Sequence, residues 1–403
     1  MARRITFCGT LLLISVISTL AATGDTKVTI TVDKSKPAGE AVGQPPPFKG
    51  QRPAVDVAIL LDTSNSMDGL INQAKSQLWT IVQQFAKAKK NGQTPIFRAA
   101  LFEYGNTRLP AAEGFIRQVV PLTDDLDKLS EALFALSTNG GDEYCGQVID
   151  EAIARLDWSK EPNGYKAIFI AGNEPFTQGS VDYRTACKRA IERGIVVNTI
   201  HCGNSSEGIA GKWQHGAQLA EGEFFNIDQD RVVVPIKCPQ DEIIIRLNAE
   251  LNKTYLWYGA RTDRQRYEAN QVAQDTNAQG AGAAAPRAVA KAGALYSNQN
   301  RDLVDALKED GAILKKLKDE DLPEALKDLP LPAREARVKE EATKRAAVQK
   351  QINTLAAERE QYLAKQRESV AAGTGERTLG DAVVSTIEKQ LKKSGFQPAT
   401  LAE

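Results

Sequence analysis

Short apolar runs alternate with amphipathic stretches from Arg52 to Tyr258. Val55 to Leu61 is apolar apart from Asp56, as in a strand buried on both faces. Asn72 to Lys87 then carries Ala74, Leu78, Ile81, Val82 and Phe85 at helical spacing. Ala99–Phe102 and Ile116–Pro121 read as strands, and Asp125–Leu136 and Gln147–Leu156 as helices. Lys166–Ala171 is another buried strand. Tyr183–Arg193 is a helix that Gly194 ends, since glycine accepts the left-handed C-cap. Ile195–Ile200 and Phe224–Ile227 complete the series. Strands alternating with helices of this length predict a mostly parallel α/β sheet covered on both faces.

The flanking segments differ. Arg3 and Arg4 precede an apolar run from Leu11 to Ala22, with Gly24 following. A positive start, a short apolar stretch and a small-residue end predict a secretory signal peptide over 1–22. The protein is therefore expected to be exported, periplasmic or extracellular, with an uncleaved N-terminal anchor as the alternative. Residues 23–51 read as an extended, Pro-rich lead-in, 52–258 as the α/β domain, and 259–299 as an Ala/Gln/Gly-rich linker, partly helical. Residues 300–395 form a charged α-helical region. Its seam is an imperfect coiled-coil heptad, because Arg345 and Arg359 fall where apolar residues would face a partner. No second apolar run is long enough to span a membrane.

Charge and chemistry narrow the classes. Lys plus Arg and Asp plus Glu are 51 each, so no global field favours nucleic acid. Only 2 His are present, and neither a G-x-S-x-G elbow nor an H-E-x-x-H pair occurs. The chain is expected to be no enzyme, with no catalytic residue assigned. Export makes disulfides feasible, and Cys145, Cys187 and Cys202 are the candidates. Both a 145–202 and a 187–202 bridge stay open.

The first strand runs into Asp62-Thr63-Ser64-Asn65-Ser66, a D-x-S-x-S pattern. Ligands of open α/β sheets bind outside the carboxyl ends of the strands. One carboxylate and two hydroxyls there supply part of the oxygen shell of a hard cation.

With its α/β alternation, this strand end resembles the von Willebrand factor A (vWA) domain family over about Arg52 to Tyr258. The resemblance implies a Rossmann-like fold, a mostly parallel central sheet flanked by helices, here followed by the helical extension. It also implies a metal-ion-dependent adhesion site, in which a Thr and an Asp from two further loops join the D-x-S-x-S residues. Asp62, Ser64 and Ser66 match. The second loop, Gly140 to Gly146, places Asp142 where the Thr is expected. The third, Ile170 to Pro175, places Gly172 where the Asp is expected. Either the site has decayed, or a carboxylate has moved between loops so that Asp62 and Asp142 hold Mg²⁺ or Mn²⁺. Glu143, Asn173 and Glu174 are further candidates for metal or ligand binding.

The reading favoured is a non-enzymatic binding protein that recognises a protein or cell-envelope partner, an acidic one included, at this sheet edge. A structural or oligomerising envelope protein acting through its helical tail is the alternative; a hydrolase has less support.

Overall fold

A computed structural model describes residues 52–161, 164–230, 236–370 and 379–398. The signal-peptide and lead-in readings lie outside these residues. In chain order the strands are β1 (Ala54–Asp62), β2 (Ala88–Lys89), β3 (Ile96–Tyr104), β4 (Ile116–Thr123), β5 (Tyr165–Gly172), β6 (Val196–Cys202), β7 (Phe224–Ile227) and β8 (Gln397–Pro398). Helices of the α/β part are α1 (Asp68–Ala86), α2 (Leu126–Phe134), α3 (Cys145–Arg155), α4 (Tyr183–Glu192), α5 (Ser205–Ala210) and α6 (Trp213–Leu219). The rest of the chain adds α7 (Asp241–Asn252), α8 (Arg261–Gly280), α9 (Ala284–Ala292), α10 (Leu303–Glu309), α11 (Ile313–Lys316), α12 (Glu324–Lys327), α13 (Leu331–Val370) and α14 (Leu379–Lys393).

Six strands form one sheet in the order β4-β3-β1-β5-β6-β7, parallel except for the edge strand β4. This is the expected α/β architecture. Asp62 pairs in register with Tyr104, Leu61 with Ala171, and Gly172 with His201, so four strands end at one level. Alternate residues of β1 feed two cores. Val55, Val57 and Leu61 face α1 and α2, while Ala58 and Leu60 face α3 and α4. The polar break in the first strand is also accounted for. Buried Asp56 accepts from Arg98 Nε and Nη2 at 2.9 and 2.8 Å and from the Ser159 N–H at 2.6 Å.

Within 259–299, Arg261–Gly280 and Ala284–Ala292 form α8 and α9, which pack against α2 and α1. Ala285, Ala288, Ala290 and Ala292 of α9 lie in the core beside α1, because small side chains permit close approach. The charges of α9 are paired. Buried Arg287 donates to Asp127 Oδ1 at 2.8 Å, and buried Lys291 reaches Asp275 at 3.2 Å. Lys291 is pushed down to about 8, chiefly by burial.

The long helix α13 starts at Leu331, and its irregular seam is satisfied within the chain. Arg345 is buried and donates to Asp302, Asp305 and the Thr254 carbonyl. Arg359 donates to Asp241 at 2.7 Å. A third core, with Leu303, Leu322, Leu326 and Val338, closes this helical part.

The final helix returns to the sheet. Leu379, Ala382, Val383, Ile387 and Leu391 of α14 join the core against α1, and β8 pairs with β2. Gln390 exchanges hydrogen bonds with Asn198 and accepts one from Tyr165. No described helix is long and apolar enough to cross a membrane.

Arg345→Ala leaves Asp302 and Asp305 without their guanidinium and is expected to cost ~3–5 kcal/mol. Ile387→Ala is expected to cost ~2–5 kcal/mol. Urea unfolding of the full chain checks both; an unchanged midpoint for Ile387→Ala would exclude α14 from the cooperative core.

Candidate functional site

The level strand ends bring four loops together. After β1, the Ser64 N–H donates to Asp62 Oδ1 at 2.8 Å, turning the chain so that the Ser64 and Ser66 hydroxyls lie 3.4 Å apart. Backbone bonds from Thr63 N to Tyr104 O and from Asn139 N to Thr63 O, both 2.9 Å, tie this turn to its neighbours. After β3 the chain passes Gly105 at φ +77°. A Cβ there would sit 2.8 Å from Glu143 Cγ and 2.9 Å from Asp62 Oδ1, so glycine lets the two carboxylate side chains approach.

In the second loop the structure turns Glu143 inward and Asp142 outward. Glu143 is buried, and its N–H donates to Gln178 at 2.7 Å. Asp142 is exposed and accepts from the Tyr144 hydroxyl. The inward carboxylate is therefore one residue later than the sequence assignment. Gly141 fixes this path, because a Cβ on it would lie 2.3 Å from the Gly105 carbonyl oxygen.

The third loop adds no charge at its first position. A Cβ on Gly172 would meet the Tyr104 hydroxyl at 2.4 Å and Asp62 at 3.0 Å. Tyr104, which donates to the Ala171 carbonyl at 2.9 Å, fills that space. Asn173 donates to Ser66 Oγ at 3.1 Å, and its own Oδ1 is buried without a partner. His201 and Trp213 hold this loop: His201 Nε2 lies 3.3 Å from the Asn173 carbonyl, and Trp213 Nε1 donates to the Glu174 carbonyl at 2.8 Å. Sequence reasoning missed this bracing role, which only the register of β5 against β6 reveals.

Burial pushes Asp62 up from the usual 3.8 to about 7; Ser64 opposes the shift and the Glu174 carboxylate adds to it. Burial likewise pushes Glu143 up to about 8, reinforced by Asp62 and Glu174. Asp62 Oδ2 is buried with no hydrogen-bond partner among the described residues. Among the described residues, no group of three or more His, Cys, Asp or Glu side chains is placed to hold a metal ion. The donors present are all oxygens, two carboxylates and two hydroxyls. Together with water they fit a hard divalent cation, and the unpartnered Asp62 oxygen is the atom such an ion would satisfy.

The expected disulfide is absent: Cys145, Cys187, Cys202 and Cys238 are buried free thiols. Cys202 packs in the core facing α1, whereas Cys145 and Cys187 pack in the opposite one. Burial pushes all three upward, as expected of unreactive core thiols.

Residues 56–219 match the sequence model of the von Willebrand factor type A domain. This part of the chain has the VWA fold. Solved structures similar to it include BatB from Bacteroides thetaiotaomicron, at 19% identity and TM-score 0.34, covering 43% of this chain and 91% of that one. The SpRpn10 VWA domain has 19% identity and TM-score 0.34, covering 44% and 89%. Proximal thread matrix protein 1 from the mussel byssus, with a zinc-occupied MIDAS motif, has 17% identity and TM-score 0.34, covering 45% and 43%. The alignment thus spans less than half of the mussel protein. No curated protein matches the chain.

The VWA domain's two raised carboxylates keep protons that an unfolded chain has released. Stability in chelator is therefore expected to fall as pH rises from the ordinary carboxylate range towards about 7 to 8, and to level off above it. Asp62→Asn should flatten this fall. Urea midpoints measured across that range test it, and identical pH slopes for the two proteins would contradict the assignment.

Proposed function

We propose that the protein is an exported, non-enzymatic binding module whose VWA domain captures a carboxylate-bearing protein or cell-envelope partner through Mg²⁺ or Mn²⁺ at the carboxyl edge of its sheet. One observation carries this reading. Buried acidic side chains elsewhere in the described chain have cationic partners: Asp56 with Arg98, Glu103 with Arg117, Asp127 with Arg287, and Asp302 and Asp305 with Arg345. Glu341 pairs with Arg337 and Lys344. Asp62 and Glu143 are buried with no ion pair among the described residues, side by side, at the site where strand ends converge. Unpaired buried charge is costly, so a chain that supplies arginines elsewhere leaves this pair for an external cation.

In this reading Asp62, Ser64, Ser66 and Glu143 hold the ion. Asn173 orients Ser66, and Glu174 sits at the rim, where its charge adds to the attraction. The relocated carboxylate is Glu143 in place of Asp142. With Gly172 unable to carry a side chain, Glu143 restores the formal charge that the third loop lacks. The remaining coordination positions are left to water and to an oxygen of the partner.

The tail-centred alternative draws less support. The seam of α13 is spent on its own chain, with Val338 and Ile352 buried and Arg345 paired.

Calorimetric titration of Mg²⁺ and Mn²⁺ into the full chain is expected to show saturable binding. Asp62→Ala and Glu143→Ala should abolish it, whereas Asp142→Ala should leave it within about threefold, as for an exposed rim charge. Silence at millimolar cation would remove the metal from the reading. Loss in Asp142→Ala with retention in Glu143→Ala would reverse the roles of the two residues.

A further inference from the structure

The net charge of zero conceals a separation of charge between the two ends of the sheet. Asp62, Asp142, Glu143 and Glu174 lie on the loops at the carboxyl ends of the strands. At the amino ends, two segments far apart in sequence come together. Residues 87–97 and 389–398 hold six lysines and no acid: Lys87, Lys89, Lys90, Lys389, Lys392 and Lys393. The pairing of β2 with β8 sets Lys89 opposite Gln397. Lys90 donates to the Ser394 carbonyl at 2.8 Å, and its ammonium lies 5.1 Å from the centre of the Phe396 ring. Arg52 adds a further cation, donating through Nε and Nη2 to the Thr94 carbonyl at 3.2 Å.

Local pairing leaves a positive surplus. Lys87 lies 3.5 Å from Glu360, Lys393 lies 3.8 Å from Glu221, and Lys389 pairs with Glu223. These lysine side chains are 45 to 76% exposed, so water and salt weaken each pair. Glu388, exposed on α14 one turn before Lys392, adds one more carboxylate. The cations of the cluster still outnumber these acids. Helix dipoles account for part of it. Lys392 and Lys393 occupy the last turn of α14, whose carbonyl end attracts cations. Lys89 and Lys90 lie beyond the end of α1, so that helix does not explain them.

The residue type indicates the partner. Apart from Arg52 the cations are lysines, compact charges on flexible stems. They suit a diffuse anionic surface better than one ligand of fixed shape, for which the planar fork of arginine is the closer match. Connectivity indicates which surface. Residues 23–51 tether the apolar run Leu11–Ala22 to Arg52, on this same edge. The bilayer that takes up this run on export is the anionic surface nearest the lysines. The acids of the candidate metal site do not oppose the contact. The nine residues of β1 set the two edges ~30 Å apart, well beyond a Debye length of ~8 Å. We propose that the amino edge of the sheet docks on an anionic phospholipid surface, with the candidate metal site on the far side.

Co-sedimentation of the full chain with phosphatidylcholine vesicles, with and without phosphatidylglycerol, tests the assignment. Phosphatidylglycerol should tighten binding about tenfold or more, and added salt should reverse the gain. The difference between the two vesicles isolates charge from any insertion of the apolar run. Two double variants probe the two segments separately: Lys87→Gln with Lys89→Gln, and Lys392→Gln with Lys393→Gln. Each should cut the phosphatidylglycerol gain about tenfold. Either one serves if the other fails to fold, as read from its urea midpoint. Asp62→Ala should bind the vesicles as the parent does. The proposal is overturned if phosphatidylglycerol adds nothing, if both double variants keep the full gain, or if Asp62→Ala loses it. Displacement from the vesicles by inorganic phosphate at constant ionic strength would make the cluster a site for free phosphate and overturn the membrane assignment. Oligothymidylate binding that the variants abolish, without vesicle binding, would overturn it in favour of nucleic acid.

Discussion

A carboxylate held away from water needs a positive charge nearby, and the distribution of those charges organises this molecule. Arg98 anchors the sheet's first strand through Asp56, at the end opposite the site. Arg287 joins α9 to α2 through Asp127, and the face of its guanidinium lies 4.6 Å from the ring centre of Trp79 on α1. Arg345 ties α13 to α10. Each guanidinium offers several donors in one plane, so a single side chain satisfies a buried acid and fixes the angle between two elements. Asp62 and Glu143, at the strand ends, are the buried acids without such a partner among the described residues.

Such pairing explains how a helical region so rich in charge packs onto an α/β domain. A mainly apolar interface would need leucines, of which the sequence from 259 to 302 has only Leu295. Alanines give close approach instead, and paired charges remove the penalty of burying what lies between them. Such pairs add little net stability compared with apolar substitutes, but they punish misalignment, since a displaced partner leaves a bare charge in the core.

Much of the fold was legible because β1, β5 and β6 are buried on both faces and their runs stand out from the polar loops. Asp62, Ser64 and Ser66 were legible because they follow β1 directly. The choice between Asp142 and Glu143 was not. It turns on the path of Gly140-Gly141, where steric contact with Gly105 decides which of two adjacent side chains points inward. Gly172 looked like a lost ligand, yet its space is taken by Tyr104 from a strand distant in sequence. The segment 259–299 read as linker because its buried faces carry Ala, Arg and Lys. A count of apolar residues cannot see charge that is neutralised by contacts far along the chain.

The return of α14 to the sheet has a consequence for biosynthesis. The Leu379 N–H meets Gln73 across 306 positions of sequence, and Gln390 meets Asn198 across 192. While the ribosome is still translating the helical extension, the face of α1 that α14 covers lacks its partner. The nascent VWA domain therefore leaves the exit tunnel with one side of its core open until translation has passed α14.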